Sequence, residues 1–463
     1  MRTNIYIYQI TNNISKFMNN TSKSEFKILE LYVRDFGGEI NSEAIVKEDI
    51  LRQGIHFEAA PNPDAAFSSK SYFIFSFNID NDKEVLNKKY PEEIAISGGP
   101  FALKRTVISV RIHNSSPYKI KLVEDETNGE MKPVLYLNEI FIADVTFSEE
   151  KSYMTQTTAS GKSVRDLAPT IEWGYLIYLA VFRMCQYFGE DLECMFCDMN
   201  SNYINQRKIN QTYSAVKSID DIIDALDIIA LSKDSNAKAY TLTGGSIIDE
   251  VKFNGDSEVD FYVRFLEKIE DKFKGKWISK IVVQAHDKDN LKRLKNAGAY
   301  IYHTNFEIWD KDLFDKLCPG KSKYIGRDKW VGRILDAVDV FGDYKVIPNF
   351  VAGIELSEPY GFKTVDEAIK STAEGLEVFM SHNIIPRYTT WCPEKTSRLG
   401  KFGNISAPLE YYIKLLLKWH EIHYKYNLPI PEGYGEAGPG KAEFSVSAFM
   451  DAFNSRQSTA RRL

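Results

Sequence analysis

Three of the five cysteines in this 463-residue chain, Cys185, Cys194 and Cys197, fall within thirteen residues in the spacing C-x8-C-x2-C. An odd and sparse set of cysteines is a poor disulfide framework, so the cluster points to thiolate chemistry instead. Thiolates hold iron–sulfur clusters, usually four of them for a [4Fe–4S] centre. Three together leave one iron without a protein ligand, an open position where a cofactor can bind. Zinc is the first alternative, but structural zinc takes four ligands, and no histidine lies between Cys185 and residue 280. A thioredoxin-like pair is a poorer match, because a third cysteine stands nearby. Three unrelated buried thiols would need apolar surroundings, whereas residues 188–193 are mostly polar and acidic.

The loop must be positioned by the elements around it. It follows the apolar run Tyr175–Arg183, which reads as a strand. Further strands are expected at Ala239–Thr243, Ile278–Gln284, Ala299–His303, Lys345–Ala352 and Ile384–Thr389. Segments of helical periodicity alternate with them: Ile219–Leu231, Glu258–Phe273, Lys288–Asn296, Asp328–Val340 and Val365–Ser381. Repeated strand–helix units imply a parallel sheet covered by helices. The fold class is therefore α/β, a partial or full (β/α) TIM-type barrel. Such barrels gather their chemistry at the C-terminal ends of the strands, where the cysteine loop would stand. Residues 1–150 read as a β-rich accessory domain, with runs such as Tyr72–Phe77 and Ile140–Val145. A polar linker spans 151–169, the barrel 170–400, and a helix and Pro/Gly-rich tail, 401–463, completes or caps it.

Composition narrows the function classes. A net charge of −6 argues against nucleic acid or an anionic membrane as partner. The longest apolar run, Leu176–Phe182, falls far short of the ~20 residues that span a bilayer. The N-terminus has no apolar core of signal-peptide type, so a cytoplasmic protein is expected.

The strand, the cysteine loop and the aromatic Phe196 before the last cysteine resemble radical S-adenosylmethionine enzymes. Their common motif is C-x3-C-x2-C with an aromatic before the third cysteine; this chain carries five more residues between the first two. Thr241–Gly245 resembles the family's Gly-Gly segment, which receives the methionyl amine and implies cofactor roles for Thr243, Gly244 and Gly245. Tyr302–Glu307 is similar to the Asn-Leu-Asp segment of biotin synthase, implying contacts to cofactor and substrate from Asn305 and Glu307. Asn349–Glu355 resembles the segment that supports the adenine there, implying roles for Gly353 and Glu355. The order of these segments is similar to the biotin synthase-like subgroup. More loosely, the run from Thr158 to the cysteines resembles an uncharacterised radical enzyme family encoded beside nitrilases.

The resemblance implies a [4Fe–4S] cluster on the three cysteines, S-adenosylmethionine as cofactor, and a 5′-deoxyadenosyl radical acting on a small polar or amino-acid-derived metabolite. C–C cleavage, rearrangement and sulfur or carbon insertion remain open as reactions. It also implies a flavodoxin or ferredoxin-type electron donor and allows a homodimer. A non-catalytic cluster carrier or maturation protein on the same barrel is the alternative. At the sixth strand end, Arg387 and Cys392 would face the same mouth as Glu307, giving a cation, a thiol and an acceptor around one substrate. Asn305 and Glu307, two apart on one strand, would point to one side. Cys318 and Cys392 admit a second cluster, a sulfur donor or a thiol that returns a hydrogen atom, against two ordinary loop thiols; Cys318 reads as ordinary, and two cysteines are too few for an auxiliary [4Fe–4S] cluster. Lys321 follows Gly320 without the remainder of a phosphate-loop pattern. His420 and His423 read as a solvated helix face.

Overall fold

The computed structural model describes residues 21–58, 67–125, 127, 129–187, 189, 191–209 and 213–453. Two helices, α1 (Thr21–Phe36) and α2 (Ser42–Gln53), open this portion. A first sheet follows: β1 (His56–Phe57), β2 (Glu93–Gly98), β3 (Leu103–Ser109), β4 (Tyr118–Glu124), β5 (Met131–Leu137) and β6 (Ile140–Phe147). Its order is β1-β4-β5-β6-β2-β3, antiparallel except where β1 joins β4. The sequence reading expected strands here but not the two helices.

One expected strand does not form. Tyr72–Phe77 pairs with no strand: it bends at residues 73–74 and is left-handed at Tyr72 (φ +49°) and Phe77 (φ +46°). Its backbone groups are taken by side chains that follow the cysteine loop. The Asn202 amide donates to Tyr72 O and Ile74 O, both at 3.1 Å, and Ser76 N donates to the Asp198 carboxylate at 3.2 Å.

The second sheet is the barrel. It holds β7 (Thr170–Ile171), β8 (Leu176–Phe182), β9 (Ala239–Gly244), β10 (Ile278–Val283), β11 (Ile301–Glu307), β12 (Asn349–Ala352) and β13 (Arg387–Thr390), side by side in chain order. From β8 to β13 all pairs are parallel. The intervening helices include Met199–Ile209, Ile219–Leu231, Glu258–Phe273, Lys288–Asn296, Arg327–Phe341 and Val365–Met380, with Leu409–Lys425 after β13. Two starts are set by reciprocal caps, Ser257 with Asp260 and Thr364 with Glu367, which satisfy otherwise orphaned N–H groups. Six parallel strands in sequential order, covered by helices, make a partial TIM-type barrel.

The segment before β7 is built rather than loose. A short helical turn at Val164–Leu167 and the buried Tyr153 pack it down, the Tyr153 hydroxyl sharing a 2.9 Å hydrogen bond with Thr170. The tail bridges the two sheets. Ser109 N donates to Ser445 O at 3.0 Å, and Thr390 N to Val446 O at 3.1 Å. A fully buried ion pair, Lys47–Asp451 at 2.7 Å, locks the tail to α2. The histidine reading is corrected: His423 is buried and His420 half-buried, each ring 4.8 Å from the Trp419 ring. Their face packs against the tail's Phe453 instead of water.

Candidate functional site

β8 ends at Phe182, and the chain turns into the cysteine loop through contacts on three sides. Gln186 N donates to Ser246 O at 2.9 Å, tying the loop to the end of β9. Met195 N donates to Leu317 O and Gly320 N to Leu192 O, both at 2.9 Å, docking it on the segment after β11. Leu399 N donates to Met195 O at 2.8 Å from beyond β13. Cys197 N turns back to Cys194 O at 3.0 Å. Phe188 and Glu190 lie outside the described residues.

The three thiols line one cavity of about 210 Å³ in the barrel lumen. Among the described residues no three His, Cys, Asp or Glu side chains converge closely enough to hold one metal ion. The three thiols differ in proton affinity. Burial holds Cys185 up to about 11 and raises Cys197 well above the usual thiol range. Cys194 is lowered, first because the Cys318 thiol donates to it and then because the Lys321 ammonium is near. The thiolate is the ligand form, so Cys194 is the sulfur best prepared to bind. The site thus offers three sulfur donors on one wall of a cavity with room beside them.

The cavity also receives Phe196, Thr243, Gly244, Gly245, Asn305, Glu307, Arg387 and Cys392. The N-terminal segment adds Phe73, Phe75 and Phe77 to the lining, Phe73 and Phe75 in one apolar cluster with Cys185 and Cys197. Arg387 projects into this space and not into solvent, its guanidinium carbon 5.1 Å from the Phe444 ring centroid and 5.6 Å from that of Tyr434. Cys392 stands beside Glu394, and burial raises both well above their ordinary values. His303 shares a 3.1 Å hydrogen bond through Nδ1 with the Tyr434 hydroxyl and another of 3.1 Å through Nε2 with Asn305 Oδ1. Burial, then the nearby Arg387 and Lys280, keep its pKa well below the ordinary value. A neutral ring is consistent only with Nε2–H donating to Asn305 and Nδ1 accepting from Tyr434.

Several expectations need correction. Asn305 and Glu307 do not share a face in the regular way, because a register shift falls between them and Glu307 adopts φ +74°. Glu307 lines the cavity with Oε1 ion-paired to Lys321, whose ammonium also donates to Asn305 O at 2.9 Å, so its charge is offset within the protein. Gly353 and Glu355 are not brought into the cavity. Glu355 is wholly buried, accepting from Gly353 N and Thr372 Oγ1, each at 2.8 Å, so its carboxylate ties β12 to the helix Val365–Met380. Gly245 abuts protein rather than leaving room for ligand, since a Cβ there would stand 1.7 Å from Met184 O and 2.6 Å from Cys185 Cα. The residues missed from sequence are Lys321, Lys280 and Glu172, while Cys318, read as an ordinary loop thiol, is buried beside Cys194. Only Lys321 carried a local signal, its place in Gly320-Lys321-Ser322, and it pointed to the wrong chemistry.

No family model matches the chain, and no curated protein matches it. Among solved structures, it is similar to methylornithine synthase (15% identity, TM-score 0.38, covering 54% of this chain and 63% of that one). It is similar to a maturase of the [FeFe]-hydrogenase (16% identity, TM-score 0.36, 55% of this chain and 51% of that one). A third is coproporphyrinogen III oxidase from Escherichia coli, described as a radical SAM enzyme (11% identity, TM-score 0.32, 54% and 52%). The chain therefore spans between 51% and 63% of the length of these three proteins.

Proposed function

We propose that this chain is a radical S-adenosylmethionine enzyme acting on a small polar metabolite. The observation that carries the reading is the three-cysteine loop at the C-terminal end of the first parallel strand, opening on a lumen lined by polar strand-end residues. Cys185, Cys194 and Cys197 would hold a [4Fe–4S] cluster, which with S-adenosylmethionine bound supplies reductive cleavage of the cofactor to a 5′-deoxyadenosyl radical. The Cys318 thiol and the Lys321 ammonium, the latter ion-paired with Glu307, favour the Cys194 thiolate. The aromatic wall of Phe73, Phe75 and Phe77 excludes water, as reactive intermediates require. Arg387 would grip an anionic group of the substrate. A flavodoxin or ferredoxin-type protein would deliver the electron. A cluster carrier has no use for a lumen shaped with buried charged and polar side chains, so the reading as an enzyme is favoured over that alternative. No described helix is long and apolar enough to cross a membrane.

The test is anaerobic reconstitution followed by iron analysis and assay. The expected result is a brown protein with about four irons per chain that forms 5′-deoxyadenosine from S-adenosylmethionine under a strong reductant. A colourless protein that retains one zinc would sink the proposal.

A further inference from the structure

Lower in the same lumen stand three charged side chains that make no close ion pair with one another. Lys280 on β10 lies level with Thr241 and Tyr178 in neighbouring strands. That is four residues before the end of β8, roughly 13 Å along a strand from the start of the cysteine loop. Its ammonium donates to Gly433 O at 2.5 Å and is 4.2 Å from the centroid of the Tyr434 ring that Arg387 also approaches, so one aromatic ring carries both cations. Glu172, just after β7, faces the same space and is 3% exposed. Its backbone is left-handed at φ +55°, a conformation costly for a residue with a side chain. Glu93 holds it there, accepting from Glu172 N and Trp173 N at 2.8 Å each.

None of the three closes on another. Glu172 makes no ion pair within 4.0 Å with either cation, and its Oε2 is buried without a hydrogen-bond partner. Arg387 Nε is likewise buried and unpartnered. Buried charges and polar groups left this way are costly unless something satisfies them. The two cations exceed Glu172 by one charge, so an anionic acceptor fits against Arg387. The orphaned Glu172 oxygen asks for a donor. A ligand that carries an anionic acceptor and a charged donor satisfies both orphaned atoms at once.

We propose that Glu172, Lys280 and Arg387 form the receiving site for an α-amino acid, its carboxylate between the two cations and its ammonium against Glu172. This rests on the reading of the lumen as a substrate pocket. The probes are L-norvaline and its halves, valerate and n-butylamine, titrated calorimetrically into the reconstituted protein. L-Norvaline should bind about tenfold or more tightly than either half. Glu172→Gln should erase the advantage over valerate, with valerate itself binding at least as tightly, since the variant removes a negative charge from the site. Arg387→Met should weaken both L-norvaline and valerate by about tenfold. Thermal unfolding of each variant shows whether it is folded, and the wild-type selectivity stands without the variants. Valerate binding as tightly as L-norvaline, or no binding of any probe, overturns the assignment. So does competition by S-adenosylmethionine, which would give the site to the cofactor. Iron content and 5′-deoxyadenosine are read on the same samples. Failure there with selectivity intact removes the cluster reading and leaves the amino-acid site standing.

Discussion

At the scale of single residues, the site is a set of groups whose ionisation is shaped by burial and by one another. Cys194 has a thiol donor and an ammonium beside it, while Cys185 and Cys197 have little but burial. Cys194→Ala and Cys197→Ala should each abolish the cluster, seen as loss of its visible absorption and its iron. If Cys185→Ala keeps a full and active cluster, that residue is not a ligand. Arg387→Ala should remove turnover while sparing both the cluster and uncoupled 5′-deoxyadenosine formation, because Arg387 touches the lumen and not the cysteine loop; loss of iron in this variant would contradict that separation. Lys280 gives a pH dependence. Burial brings its pKa down to about 8, with Glu172 raising and Arg387 lowering it. Tyr434 covers it, and His303 in the same wall is kept neutral. Its charge is therefore present below about 8 and lost above. Affinity for a carboxylate ligand should hold below that pH and fall as pH rises through it, and a flat titration profile from pH 7 to 9 would show that Lys280 does not face the ligand.

At the scale of elements, the cysteine loop works as a clasp between three strand ends. Gly245 after β9 sits against the backbone of Met184 and Cys185 so closely that no side chain fits. Gly245→Val must push the loop away, so cluster assembly should suffer together with cofactor binding. Iron content after reconstitution decides it: weakened cofactor binding at full iron would mean the glycine serves the ligand instead. The shift between β11 and β12 has a similar role. It turns Glu307 into a left-handed conformation and lets it meet Lys321 on the following segment.

At the scale of the whole molecule, the sheet from β7 to β13 is joined to the N-terminal sheet through the tail, and the residues that bridge them also wall the cavity. Arg111 on the N-terminal side donates to Leu51 O at 2.9 Å, Thr390 O at 2.7 Å and Trp391 O at 3.2 Å. Lys47 and Asp451 form the deepest lock. Removing one partner of a buried ion pair costs about 3–5 kcal/mol, because the other charge is left alone. Lys47→Ala should lower the unfolding free energy by about that much in denaturant titration, and turnover should fall with it, since the same tail carries Tyr434 into the lumen. A variant as stable as the wild type would show that the tail is held by other contacts.

What the sequence determined was whatever depends on near neighbours. The helices Ile219–Leu231, Glu258–Phe273 and Lys288–Asn296 stand where periodicity and capping residues put them, because those signals act within a few residues. The cysteine spacing was equally legible, as was the run of parallel strands. Only the tertiary structure decided which charges meet. Glu172, Lys280 and Arg387 lie more than a hundred residues apart along the chain, and nothing local marks them as one group. Tyr72–Phe77 reads as a strand by its own composition, yet Asn202 and Asp198 take its backbone groups and turn it into a cavity wall. Gly353 and Glu355 occupy a fitting place in the chain order, but the packing of Thr372 buries the carboxylate outside the lumen. Side-chain direction at a strand end depends on register shifts and on the partner that arrives from elsewhere, and neither is carried by the strand's own residues.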